Sequence, residues 1–510
     1  MMFALTMMVG MLAGVLPSQV KNPTIWADVP DPAIIRVGRD YYMSSTTMHM
    51  SPGLPIMKSR NLVDWKLVSY AYQTLGDTDE LNLANGKNAY GKGSWASSLR
   101  YHNGTFCAST FSFTTGKTYI YTTKNIEKGP WKTISFSPAF HDHSLFFDDD
   151  GRVYLITGAE DIRLVELKAD LTGPKPGGID QIIVRNASKV AGGEVGLRAE
   201  GSQLFKVNGK YYLCNITWPK GGMRTEIVHR ADSLTGPYEG RIMFQDRGIA
   251  QGGIIDTPDG QWYAYLFQDH GAVGRIPYLM PMTWEDGWPK VQAPEALNVK
   301  SEASGIPAIV ASDEFTKPQL PLVWQWNHNP DAAHWSLTAR PGFLRLTTSR
   351  VDKEVVEARN TLTQRTFGPL CSGTIRLDAT GLKDGDFAGL LALQGRYGFV
   401  GVTRTGSDLF WVSVNAGSGS PKETARQPMK AKIAYLRIDC NFMDRKDEAS
   451  FYMSEDGKSW TPFGEPLKMR YDLTHFMGYR YGLFAFSTQS PGGFADFDYF
   501  HIGDRTLDRS

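Results

Sequence analysis

SLFFDDDGRVYLIT, residues 144–157, is an apolar run, a short acidic turn closed by glycine, and an aromatic strand. Four other stretches ahead of residue 300 repeat that order: PAIIRVGRDYYMSS from Pro32, SLRYHNGTFCAST from Ser98, SQLFKVNGKYYLCN from Ser202 and GIIDTPDGQWYAYL from Gly253. Each reads as a β-hairpin, because Asn-Gly, Asp-Gly and their relatives tolerate the positive φ of tight turns while Ile, Phe, Tyr and Leu favour the flanking strands. Between the copies a second phrase recurs, KSRNLVDWKLV from Lys58, TKNIEKGPWKTI from Thr123, RADSLTGPYEG from Arg230 and MTWEDGWPKV from Met282, and it suits an outer hairpin. Strand-only repeats of roughly 40–60 residues predict propeller blades. The expectation is an all-β chain with a five-bladed β-propeller over residues 20–305.

The residue just ahead of each apolar run carries the chemical information. Asp31, Trp95, Asp142, Glu200 and Gln251 hold nearly equivalent positions in the five copies. Equivalent ends of innermost strands meet around a propeller axis, so the acids of copies one, three and four are expected to face one central pocket. Singly, each has a plain explanation. Asp31 in Val-Pro-Asp-Pro is a turn starter, and Glu200 beside Gly201 is an edge charge. Asp142 lies in His141-Asp142-His143, which invites a metal reading, but three successive strand residues point to alternate faces and do not grip one ion. Three acids at one repeat position are poorly explained by three separate accidents. Hydrolysis of a glycosidic bond needs one carboxylic acid to protonate the leaving oxygen and one carboxylate to activate water or attack carbon. A third carboxylate nearby keeps the acid protonated by like-charge repulsion.

Composition bounds the partners. With 54 basic and 53 acidic residues in 510, the chain has no net field to draw in nucleic acid or an acidic membrane, and an uncharged polymer is the better substrate. Cys107, Cys214, Cys371 and Cys440 form no CxxC pair and call for no disulfide framework. Phe3 to Leu16 is apolar over the length of a signal-peptide core and short for a membrane span. Residues 1–19 are therefore expected to be a signal-like segment and the protein secreted or periplasmic.

After a linker from Lys300 to Ser312 the hairpin repeat gives way to about nine alternating strands, among them GFLRLTTS, FAGLLALQG, LFWVSVNAG and YGLFAFSTQ. They predict a β-sandwich over residues 312–510. Its opening DEF (Asp313–Phe315) and closing DFDYF (Asp496–Phe500) become neighbours if the first and last strands pair.

The runs ADVPDPAIIRVGRDYYM, SWASSLRYHNG, DHSLFFDDDGRVYL, AEGSQLFKVNGKYYL and GRIPYLMPMTWEDGWP together resemble glycoside hydrolase family 43. The resemblance runs from about Asn22 to the C-terminus, since some members carry a C-terminal concanavalin-like sandwich. It implies an exo-acting, inverting glycosidase in which Asp31 is general base to water, Glu200 is general acid and Asp142 tunes that acid. Trp95 matches the apolar wall of the sugar pocket, and Arg275 an arginine that points into it. Gln251 departs from the pattern, standing where many members place a histidine that holds an axial calcium. Met48, His49 and Met50 in the loop Thr46–Pro55 are expected near the pocket rim, with Met48 counted among substrate-binding residues. No cofactor is expected for the chemistry. A structural calcium in the sandwich is expected at Asp498 and Glu314, beside Asp313.

The expected partner is a xylo-oligosaccharide or an arabinose-substituted oligosaccharide, cleaved to release β-xylosyl or α-L-arabinofuranosyl units. The alternatives are an endo-arabinanase and a non-catalytic carbohydrate-binding propeller.

Overall fold

The computed structural model describes residues 20–294, 296–301 and 305–509; the signal-like segment lies outside them. Its propeller has five four-stranded antiparallel sheets, four of them built from consecutive strands and the first interrupted once by a strand that joins the C-terminal domain. Blade one is Ala33–Val37, Asp40–Ser44, Gly53–Ser59 and Lys66–Tyr72. The inner strands of the other blades are Ser98–His102, Ser144–Phe147, Val195–Val207 and Ile249–Asp256. Each inner strand touches the next, and the fifth touches the first, so the ring closes without an exposed inner edge. Two hairpin turns show the local chemistry directly: Asn103-Gly104 and Asn208-Gly209 both adopt paired positive φ, 47° and 74°, 49° and 79°, the turn whose twist matches its strands. A short pair joins the two ends of the propeller, Val20–Lys21 against Ala296–Leu297.

The C-terminal domain is a two-sheet sandwich. One sheet runs from Lys422–Met429 through Asp386–Leu393 and Arg480–Ser487 to Gln325–Asn327, and the other centres on Leu370–Asp378 and Ile433–Asn441. Asp313 and Phe500 form an antiparallel bridge with reciprocal 2.8 Å bonds, which closes the sandwich seam.

The first-blade loop corrects an expectation. Met50–Ser51 is hydrogen-bonded to Gln325–Asn327 and forms the edge strand of a sandwich sheet. Met48 and Met50 are 1% exposed and pack with Leu391, Phe399 and Phe484 of the sandwich. Met48 is therefore a domain-interface residue and does not line a sugar pocket. His49 is buried beside it, bonded to Asn327 Oδ1 at 3.0 Å and ringed by Tyr90, His328 and His475. The sequence of this loop is apolar because it continues the core of a domain that begins more than 250 residues later.

Further contacts weld the two domains. Asp28 accepts from Arg275 N at 2.7 Å and from Gly478 N at 3.1 Å, and Tyr479 N donates to Ala272 O at 2.9 Å. A Cβ on Gly478 would lie 2.2 Å from Val273 O, so only glycine permits this approach. A chain ending at residue 305 leaves Met48, Met50 and the buried rings around His49 uncovered. We expect that truncation to aggregate or to lack measurable turnover; a soluble, fully active propeller would contradict this account of the interface.

Calcium at the sandwich seam is not supported by the side chains there. Asp498 is paired with Arg376 at 2.7 Å and Glu314 with His501 at 2.6 Å. Asp313 accepts from Trp324 Nε1 at 2.9 Å. Each carboxylate already faces a hydrogen-bonding partner where a cluster of free acids was expected.

Candidate active site

The mouth of the propeller axis is shaped by a repeated backbone kink. Asp31 and Asp142, each two residues ahead of its inner strand, and Gln251, at a bulge inside its own, have left-handed φ of 51°, 42° and 58°. In the fourth copy Gly201, next to Glu200, takes the kink at 65°. A left-handed non-glycine residue costs about 1 kcal/mol, and three of them at equivalent places turn their side chains inward. Asp31, Asp142, Gly201 and Gln251 line one axial pocket with Pro32, Ala96, Ser97, His143, Ser202, Gln203 and Gly252. The second blade contributes Ala96 and Ser97 at the axis, and Trp95, one residue ahead of Ala96 as Glu200 is ahead of Gly201, packs edge-on against His141 and Phe476.

Asp31 is 7% exposed. Arg275 Nη1 lies 3.2 Å from both of its oxygens, and the Thr46 hydroxyl donates to Oδ2. Arg275 is itself buried. Burial opposes its charge, but the Asp31 carboxylate beside it outweighs that and raises its proton affinity. Its guanidinium lies 4.6 Å from the ring centroid of Phe476 and 5.5 Å from that of Phe267. Phe476 comes from the sandwich and also meets Trp95 edge-on at 6.1 Å. The second domain thus supplies part of the pocket wall.

Asp142 is 6% exposed. Burial pushes its carboxyl up to about 7; His141 opposes the rise, and the charges of Glu200 and Asp31 add to it. Glu200 is the most open of the three, with its side chain 23% exposed, and His141 Nε2 sits 3.0 Å from its Oε2. The kink at Asp142 breaks strand alternation, so His141 and Asp142 both approach Glu200 while His143 bonds to Ser109 Oγ at 2.9 Å and Phe140 O at 3.0 Å. Strict alternation was expected, and the left-handed residue is why it fails. His141, Asp142 and Glu200 offer atoms within 4.8 Å of one another, the one such grouping among the described residues. The His141–Glu200 hydrogen bond accounts for that closeness without a cation.

Gln251 is 8% exposed. Its N–H donates to Glu226 Oε2 at 2.7 Å, and burial pushes the Glu226 carboxyl up to about 8. A Cβ on Gly201 would fall 2.7 Å from Gln251 Nε2, which shows how closely the fourth and fifth blades meet at the axis. Sequence reasoning did not find Thr46, Glu226, Phe113 or Phe476. Only Phe113 left a signal, an aromatic just past a blade strand that also carries Phe111.

Arg275→Met leaves the Asp31 carboxylate buried without its counter-charge. Removing one partner of such a pair costs about 3–5 kcal/mol, and we expect a fall in the thermal midpoint together with loss of most turnover. A variant as stable and active as the parent would remove Arg275 from the site.

A closed five-bladed propeller with three acids at its axial mouth is the architecture of an acid–base glycosidase. Residues 20–289 match the family model Glycosyl hydrolases family 43, and residues 312–503 match Beta xylosidase C-terminal Concanavalin A-like domain. The chain belongs to glycosyl hydrolase family 43. It is 29% identical to a beta-xylosidase of Formosa agariphila over 94% of this chain and 89% of the relative. A non-reducing end alpha-L-arabinofuranosidase of Bacteroides ovatus is 30% identical over 64% of each. A solved structure described as a bifunctional GH43-CE protein of Bacteroides eggerthii is 57% identical with a TM-score of 0.95, covering 97% of this chain. The chain spans 65% of the length of that protein.

Proposed function

We propose that this glycosidase is exo-acting and inverting, releasing β-xylosyl units, and α-L-arabinofuranosyl units as a second activity, from hemicellulose oligosaccharides. The observation that carries the reading is the convergence of Asp31, Asp142 and Glu200 on one axial mouth that the sandwich residue Phe476 walls on one side. Asp31, held between Arg275 and Thr46, accepts a proton from the attacking water. Glu200 delivers a proton to the departing oxygen. Asp142 sits behind both and sets the electrostatic balance between them. A wall of Trp95 and Phe476 suits the C–H faces of a pentose. The similarity to a beta-xylosidase and to an arabinofuranosidase favours a pentose over a hexose. We further propose that the protein acts outside the cytoplasm, on the strength of the apolar run Phe3 to Leu16.

The test is proton NMR of the first product formed from xylobiose, xylan oligomers and arabinan oligomers. Monomeric pentose of inverted configuration is expected. Retained configuration or a ladder of mixed oligomers would overturn the mechanism or the exo assignment respectively.

A further inference from the structure

We propose that His141 is a positioning residue for the general acid: its imidazole N–H holds Glu200 Oε2, leaves the other carboxyl oxygen facing the departing sugar, and tightens as Glu200 becomes anionic. The inference rests on the reading of Glu200 as the acid and extends it to a residue outside the carboxylate set.

The geometry is specific. Nε2 lies 3.0 Å from Glu200 Oε2 and 3.9 Å from Asp142 Oδ2. The ring is fixed from other directions by aromatics: Phe113 stacks nearly parallel at 6.0 Å, and Phe111 and Trp95 meet it edge-on at 5.4 and 6.2 Å. Phe111 and Phe113 belong to blade two, His141 and Asp142 to blade three, and Glu200 to blade four. The charged groups facing the imidazole are Glu200 and Asp142, with Asp31 acting on Asp142 from the first blade. Burial opposes protonation of His141, but the hydrogen bond to Glu200 and the Asp142 charge outweigh it and shift the ring upward.

The energetic consequence follows from when the charge appears. While Glu200 carries its proton, the N–H···O contact is a neutral-acceptor hydrogen bond. When that proton moves to the glycosidic oxygen, the same contact becomes charge-assisted and stronger. An interaction that strengthens only as the bond breaks lowers the barrier instead of merely tightening binding. The benefit scales with how much protonation the leaving group needs.

The experiment compares His141→Phe, which keeps the stacked ring and loses the donor, with His141→Gln, which restores an N–H donor. Both are assayed on xylobiose and on 4-nitrophenyl β-xyloside across pH. His141→Phe should lose about 10- to 100-fold in kcat on xylobiose, change the nitrophenyl substrate by less than about 3-fold on the same grounds, and move the basic limb of the pH profile upward. His141→Gln should recover most of the loss. Equal loss on both substrates with an unmoved basic limb, or no recovery in His141→Gln, would overturn the proposal. Glu200→Ala run alongside separates the two failures. Leaving-group dependence in Glu200→Ala alone overturns the role of His141, whereas its absence from both overturns the acid assignment.

Discussion

Asp31→Ala is expected to abolish turnover of xylobiose and of nitrophenyl pentosides alike, whereas Glu200→Ala should spare much of the second. The difference follows from what each substrate asks of the site. Water must lose a proton to attack the anomeric carbon whatever departs, so the group beside Arg275 and Thr46 is needed for both. A sugar alkoxide is a poor leaving group and needs a proton; nitrophenolate is stable without one. General acid–base catalysis contributes about 10²- to 10⁴-fold, and that range is the expected loss for Glu200→Ala on xylobiose. The nitrophenyl substrate should lose at most about 10-fold on the same scale. Asp31→Ala should lose at least the upper end of it on both. Steady-state kcat/KM on the two substrates, with circular dichroism to confirm folding, decides the matter. Equal losses in the two variants would mean that the carboxylates do not divide the labour as assigned.

The second large effect is loss of stability in mild acid. Six of the ten histidines are driven toward the neutral form by burial: His143, His229 and His270 fall to about 4, His475 falls to about 3, and His49 and His328 lie well below their ordinary value. In an unfolded chain each titrates near 6.5. A base whose folded value is depressed imposes no penalty above its unfolded value, and it costs stability as the pH falls through the window between the two. Six buried carboxyls act in the opposite sense, because Asp142, Glu226 and Asp352 are raised to about 7, 8 and 6 and Asp386, Asp439 and Asp447 are raised as well, and His141, raised beside Glu200, acts with them. The six histidines take up their protons together when the chain unfolds between roughly pH 6.5 and 5, each adding up to about 1.4 kcal/mol per pH unit, while the carboxyls titrate over a wider range and offset part of it, so a net loss of stability is expected through that window.

Three of these histidines meet at the domain interface. The rings of His49 and His328 are 4.6 Å apart, those of His49 and His475 5.1 Å, and Tyr90 stacks on His475 at 5.0 Å. Nδ1 of His49, Nδ1 of His328 and Nε2 of His475 find no hydrogen-bond partner. Charging any of them places a cation among unpartnered neighbours, next to the loop that delivers Phe476 to the pocket. Denaturant unfolding measured across this pH range should show the slope, and His475→Phe should flatten it by one proton while keeping the stacked ring. Stability that is level or rising toward pH 5 would refute the account.

Much of the propeller was legible because its determinants are local. An Asn-Gly turn, an alternating aromatic strand and a fixed offset to the next copy report themselves within a dozen residues. The offset also disclosed the inward-facing acids, since symmetry converts a repeated sequence position into a shared place in space. What escaped was set by small departures from that regularity. The left-handed residue at Asp142 put His141 on the same side as the acid, against the alternation a strand would impose. The second copy puts Ala96 at the axis, while Trp95 just ahead of it packs against His141 and Phe476. The apolar loop around Met48 looked like a pocket rim because hydrophobicity has no address; it reports that a surface is covered and is silent on what covers it. Asp498 and Glu314 looked free because their partners, Arg376 and His501, are joined to them only by the sandwich pairing.

The amino-acid sequence by itself determined the blades, their number and the three carboxylates at equivalent positions, since each depends on short-range turn chemistry and on repetition. The tertiary structure alone decided which side chains complete the pocket: Phe476 over Arg275, and His141 against Glu200. Those contacts arise where two domains and neighbouring blades pack together, and packing between distant segments has no signature in the order of residues along either one.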